Sequence, residues 1–100
     1  MITGSLCRAA RALVEISRAK LAANVNVDEA VIENFERDVR IPNDATILAI
    51  QRELEAIGAV FLPEEGSQGV GVRLKFNRSL TKRIGILENE GGATGRDDVP

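Results

Sequence analysis

Apolar residues recur at intervals of three and four through Leu6, Ala9, Ala10, Leu13 and Val14, the stripe of one helical face, with Thr3 or Ser5 in place to cap it. A helix over residues 3–14 is predicted. Ser17 is placed to cap a second, short helix over residues 18–24, in which Ala22 and Ala23 are small enough to let another helix approach closely. Val25, Asn26 and Val27 read as a turn, because Asn accepts the left-handed conformation better than any residue except Gly. Asp28 then caps a third helix over residues 29–37, with Val31, Ile32 and Phe35 inward and Glu29, Ala30, Glu33, Asn34 and Arg37 outward. Pro42 disfavours helical geometry in the residue before it, and Asn43 or Asp44 can cap the next helix. That fourth helix, residues 45–57, carries Ile47, Leu48, Ile50, Leu54 and Ile57 as a broad apolar stripe and ends at Gly58.

Past Gly58 the period changes from helical to alternating. Val60, Phe61 and Leu62 form a β-like run, residues 63–69 a loop, and Val70, Val72, Leu74 and Phe76 alternate with Gly71, Arg73 and Lys75. This predicts a hairpin over residues 59–76 with one wet face. Beyond it, Leu80, Ile84, Ile86 and Leu87 support at most a short element, and residues 88–100 are Gly-rich, charged and expected to be disordered. The fold class is therefore mainly α, with one domain over residues 1–76 and a partly disordered tail over residues 77–100.

Composition narrows the chemistry sharply. The 100 residues contain no His, Trp or Tyr and one Cys, Cys7. Imidazole bases, serine triads and mixed Cys/His zinc sites all need residues this chain lacks, so the expectation is no enzyme, no metal and no cofactor. One thiol makes no internal disulfide, and Cys7 reads as a small packing residue of a cytoplasmic protein. The apolar runs are too short for a membrane span, and the N-terminus has no signal-peptide pattern. Thirteen cations against fifteen carboxylates give a net charge of −2, without the basic excess of a non-specific nucleic-acid binder. The charge is segregated: residues 1–24 carry Arg8, Arg11, Arg18 and Lys20 against Glu15, whereas residues 25–36 carry Asp28, Glu29, Glu33 and Glu36 with no cation.

A helix, a three-residue turn and a second helix, with Ala22 small in the first and Ile32 buried in the second, have the spacing of a helix-turn-helix unit. The residues Arg8 to Val14, Ser17 through Leu21 and Ala22, Val27 and Asp28, and Val31 and Ile32 through Phe35 and Glu36 resemble the xenobiotic-response-element family of phage-repressor-type transcriptional regulators. The similarity covers about residues 1–58, and the Gly58 to Leu62 run with the Gly71 to Leu74 strand is similar to a bacterial subgroup of small regulators. It implies a four-helix repressor-like helix-turn-helix domain with a C-terminal β-hairpin.

The resemblance also implies roles. Arg11 and Glu36 occupy positions of a structural ion pair that holds the third helix at a fixed angle. Arg18 falls where the family contacts phosphate, Glu29, Ala30, Glu33 and Asn34 where it meets base edges, and Arg37, Arg40, Asn43 and Thr46 where it flanks the phosphates from the far side. The groove face departs from the family pattern, which usually offers Gln, Arg, Ser, Thr or Lys there. Carboxylates cannot donate to guanine, but they accept from a cytosine amino group, Asn34 can read adenine, and Ala30 can touch a thymine methyl.

The hairpin is expected to join two copies, because the edges of a lone hairpin carry unpaired N–H and C=O groups. Val60, Leu62, Val70, Val72, Leu74 and Phe76 are the candidate dimer interface. A twofold dimer would set two reading helices about 34 Å apart on a palindromic site. The expected partners are double-stranded DNA and a second copy of the chain, the protein acting as a repressor or autoregulator. The alternative is the same fold used as an antitoxin-like or regulator-binding module, with the acidic third helix facing another regulatory protein. Arg78, Lys82 and Arg83 form a small basic cluster that is more simply a solvated face.

Overall fold

The computed structural model describes residues 1–77. The short element at Leu80 to Leu87, the Arg78, Lys82 and Arg83 cluster and the disordered tail all lie outside the described residues. Within them the chain is mainly helical: α1 (Gly4–Val14), α2 (Arg18–Val25), α3 (Glu29–Glu36) and α4 (Asp44–Ile57) precede β1 (Ala59–Leu62) and β2 (Gly71–Leu74). α1 packs on α3, α4 and both strands, and α2 packs between α3 and α4.

Most helix ends follow the local chemistry read from the residues. Thr3 Oγ1 accepts the Leu6 N–H at 3.2 Å, Ser17 Oγ that of Lys20 at 3.0 Å and Asn43 Oδ1 that of Thr46 at 2.8 Å. Each satisfies an orphan donor of a first turn. Of the two residues considered at α1 and at α4, the caps are thus Thr3 and Asn43. Asn26 takes the left-handed conformation, φ 61°, and its N–H returns to Ala22 and Ala23 to close α2. Asp28 departs from expectation. It stands at the N-cap with extended geometry, but its side chain makes no capping bond.

Two apolar stripes are rotated from the sequence reading. In α1 the fully buried positions are Cys7 and Ala10, while Ala9 is exposed and Leu6, Leu13 and Val14 are half-buried. In α4 Ile47, Ile50 and Leu54 are buried, but Leu48 is exposed. Leu21, Ile32, Ile50 and Leu54 form the centre of the core, each contributing roughly 1.5–3 kcal/mol through burial.

The second strand is shorter than the alternation suggests. It pairs antiparallel with β1 in the register Ala59 with Leu74, Val60 with Arg73, Phe61 with Val72 and Leu62 with Gly71. Pairing ends where β1 ends, so Val70 and Phe76 lie outside the strands and are exposed. The connection is closed by reciprocal hydrogen bonds between Glu65 and Gln68, both 2.9 Å, around Gly66 at φ 59°. Because side chains alternate across a strand, Ala59, Phe61, Val72 and Leu74 share one face and Val60 and Leu62 the other. Ala59 is buried, and Phe61 and Val72 pack on the core. The six residues grouped as a dimer interface are therefore divided, and Val72 serves the monomer core.

Candidate nucleic-acid interface

The end of α3 is tied to α1 by a buried carboxylate. Glu36, its side chain 1% exposed, accepts from Arg11 Nε at 2.6 Å and from Arg11 Nη2 at 2.7 Å, a two-pronged pair. Arg11 also donates to the Ile16 carbonyl at 3.2 Å, so the same guanidinium holds the α1–α2 turn. Cys7 Sγ donates to Glu36 Oε2 at 3.3 Å. Burial pushes the Glu36 carboxyl up, but the hydrogen bonds from Arg11 and Cys7 and the charges of Arg11 and Arg18 outweigh it and leave it below the ordinary glutamate range. Burial and the neighbouring carboxylate push the Cys7 thiol far up, so it stays protonated and unreactive.

Arg18 belongs partly to this cluster. Its Nε lies 3.5 Å from Glu36 Oε1 and its Nη1 lies 3.7 Å from Glu33 Oε1. Glu33 also receives Arg37 Nη1 at 3.1 Å, an i,i+4 pair along α3. One carboxylate thus stands between two guanidinium groups nominated for phosphate contact. Arg18 Nε is buried and makes no hydrogen bond, which leaves its contact with Glu36 purely electrostatic.

A second set of nominated residues lines an open groove of about 340 Å³ between α3 and the start of α4. Ala30 and Asn34 come from α3, Arg40 from the connecting loop, and Asn43 and Thr46 from the first turn of α4, with Asp28, Val31 and Pro42 completing the wall. The loop is shaped by the Asn34 carbonyl, which accepts from the Val39 N–H at 2.8 Å and the Arg40 N–H at 3.3 Å, and by Asp38 at φ 61°. Neither the Asn34 side-chain amide nor the Arg40 guanidinium is engaged by another of the described residues. Both remain available to a ligand in the groove.

The nine nominated residues are therefore sorted into three groups. Arg18, Glu33 and Arg37 form one ionic cluster, Ala30, Asn34, Arg40, Asn43 and Thr46 line the groove, and exposed Glu29 belongs to neither. The sequence reading missed the bond from Cys7 to Glu36 and the inner role of Arg18. The spacing of Cys7 and Arg11, four residues apart on α1, carried a signal that both lie on one face. Gly4 was also missed: a Cβ there would overlap the Phe35 carbonyl oxygen and fall 2.8 Å from its carbon and 3.1 Å from Glu36 Cα. Among the described residues no group of His, Cys, Asp or Glu is arranged to hold a metal, and no helix is long and apolar enough to cross a membrane. Compared with known proteins, the chain matches no family model and no curated protein.

Proposed function

We propose that this protein is a sequence-specific, double-stranded-DNA-binding transcriptional regulator of the helix-turn-helix type, a cytoplasmic homodimeric repressor or autoregulator acting on a palindromic operator. The observation that carries the reading is the convergence of Ala30, Asn34, Arg40, Asn43 and Thr46, from three successive elements, on one open groove. In this reading α3 is the base-reading helix. Asn34 reads an adenine edge, Ala30 meets a thymine methyl, Glu29 accepts from a cytosine amino group, and Arg40 with the N-terminal turn of α4 takes phosphate. Phosphate contacts set register and orientation, and base contacts supply the sequence information.

Mobility shift on the promoter of the protein's own gene and on a scrambled duplex tests it. The wild type is expected to shift the promoter alone at moderate salt. Asn34→Ala should weaken promoter binding by roughly five- to a hundredfold, the range for losing one bidentate base contact, with little effect on the scrambled duplex. Equal binding to both duplexes, or none by the folded protein at low salt, rejects the proposal.

Dimerisation is assigned to the outer face of the hairpin, where Val60 and Leu62 lie opposite Arg73 and Gly71, together with the exposed Val70 and Phe76. Leu62→Asp should sediment as a monomer while retaining its helical circular dichroism. A variant that sediments as the wild type does, or a wild type that is itself monomeric, removes the hairpin from the assembly.

A second reading, the same fold as a protein-interaction module, has its own support. Val39 and Ile41 are 66% and 69% exposed on the loop beside the groove, where aliphatic side chains suit a protein partner better than a duplex. A folded protein that shifts no DNA, with a Val39→Ser and Ile41→Ser variant that loses a co-purifying protein the wild type retains, favours this reading.

A further inference from the structure

Glu33 sits at the point where the two best-placed cations of the α2–α3 surface meet. Its Oε1 faces Arg18 Nη1 at 3.7 Å and its Oε2 accepts from Arg37 Nη1 at 3.1 Å, so each oxygen faces a different guanidinium. All three side chains reach solvent: Glu33 is 39% exposed, Arg18 35% and Arg37 64%. Ion pairs this exposed are weak and exchange readily with other anions. Arg18 is nevertheless held in place from beneath, because its Nε faces the buried Glu36 carboxylate at 3.5 Å. Removing Glu33 from between the two arginines would leave one of them already oriented.

We infer that Arg18 and Arg37 form a two-guanidinium seat for one backbone phosphate of a duplex, and that the Glu33 carboxylate occupies this seat in the free protein as an internal competitor. The inference rests on the DNA-binding reading and gives Glu33 a different role from base recognition. Two oxygens of a phosphate are spaced much as those of a carboxylate, and guanidinium groups bind both in the same forked manner. A carboxylate in the seat offsets the sequence-independent attraction that each cation would otherwise add. Displacing it costs the same on any duplex, so Glu33 keeps sequence-independent binding weak and leaves base contacts to supply the affinity of this chain of net negative charge.

The test is fluorescence-anisotropy titration of the full chain and of the variants Glu33→Gln and Glu29→Gln, using promoter and scrambled duplexes at several salt concentrations. Glu29→Gln is the control on the scrambled duplex, where the base contact assigned to Glu29 plays no part: it removes the same charge from the same helix, and Glu29 forms no ion pair among the described residues. Glu33→Gln is expected to bind the scrambled duplex roughly five- to tenfold tighter. Its plot of log affinity against log salt should steepen by about 1, as one further phosphate contact forms. The promoter should gain by a similar factor, and on the scrambled duplex Glu29→Gln should gain clearly less than Glu33→Gln. If Glu33→Gln binds the scrambled duplex no tighter than wild type, or Glu29→Gln gains equally on it, the seat is overturned while DNA binding stands. If none of the three folded proteins binds either duplex at low salt, the DNA-binding reading fails, and the seat with it.

Discussion

Glu36→Ala should destabilise the protein by about 3 kcal/mol, because removing one member of a buried, two-pronged pair strands the other. Arg11, with its side chain 15% exposed, would keep a partly buried guanidinium with no carboxylate to accept from it, and Cys7 would lose its acceptor. For a domain of this size the midpoint of thermal unfolding should fall by roughly 12 °C or more. The same change should loosen the end of α3, seen as faster amide exchange of Phe35 and Arg37. Thermal stability and exchange both unchanged would mean that the pair contributes neither stability nor orientation.

Acid should remove the same contribution. The native Glu36 carboxyl lies below its ordinary range, so around pH 4 the unfolded chain binds more protons at this position than the folded one. Stability from Glu36 is then fully present above about pH 5, where the unfolded carboxylate is ionised, and is lost as pH falls through the depressed native value. The stability difference between wild type and Glu36→Gln, followed by urea denaturation from pH 7 downward, should therefore shrink on acidification. A difference that stays constant or grows contradicts the assignment.

Gly4→Ala is expected to have a comparable effect at the other contact between α1 and α3. Gly4 is in the first turn of α1, where an alanine would ordinarily favour the helix. Here the added methyl meets backbone: the Phe35 carbonyl group and Glu36 Cα. A backbone carbonyl cannot turn aside as a side-chain tip does, so α1 must move away from α3. Overpacking of this kind costs about 2–3 kcal/mol. Gly4→Ala should lower the denaturation midpoint, whereas Ser5→Ala, on an exposed neighbour, should leave it nearly unchanged. Equal stability of the two variants would show that the helices separate without penalty.

The two substitutions act on one joint, which explains why the end of α3 matters to the proposed site. Gly4 lets α1 approach the α3 backbone, and Arg11 then reaches Glu36. Glu36 in turn holds Arg18, which reaches Glu33 from α2. A chain of contacts therefore runs from the close approach in the interior to the ionic cluster at the surface.

The helices were legible because their information is local. Thr3, Ser17 and Asn43 cap first turns through bonds three residues long, and Asn26 takes the left-handed turn its side chain tolerates. Periodicity placed Ile32, Phe35, Ile50 and Leu54 inward. It failed at Ala9 and Leu48, since a stripe of small or broadly spaced apolar residues leaves the rotation of a helix open by one position. Neighbours decide that rotation, and they selected Cys7. Alternation identified β2 but overran it at both ends, because a strand extends only as far as its partner offers hydrogen bonds.

The nominated surface was legible as a set of residues, not as an arrangement. Residue identity alone indicated which side chains bear charge or can read a base, and its resemblance to a regulator family suggested Arg11 and Glu36 as partners. Folding divided the rest, placing Arg18 and Arg37 against Glu33 and leaving Arg40 and Asn34 in the groove. Short-range hydrogen bonds and periodic burial are written into neighbouring residues, so four helices and a hairpin follow from the chain itself. Which cation meets which carboxylate depends on distances between residues up to 25 positions apart, as Arg11 and Glu36 are, and such distances exist only once the helices have packed.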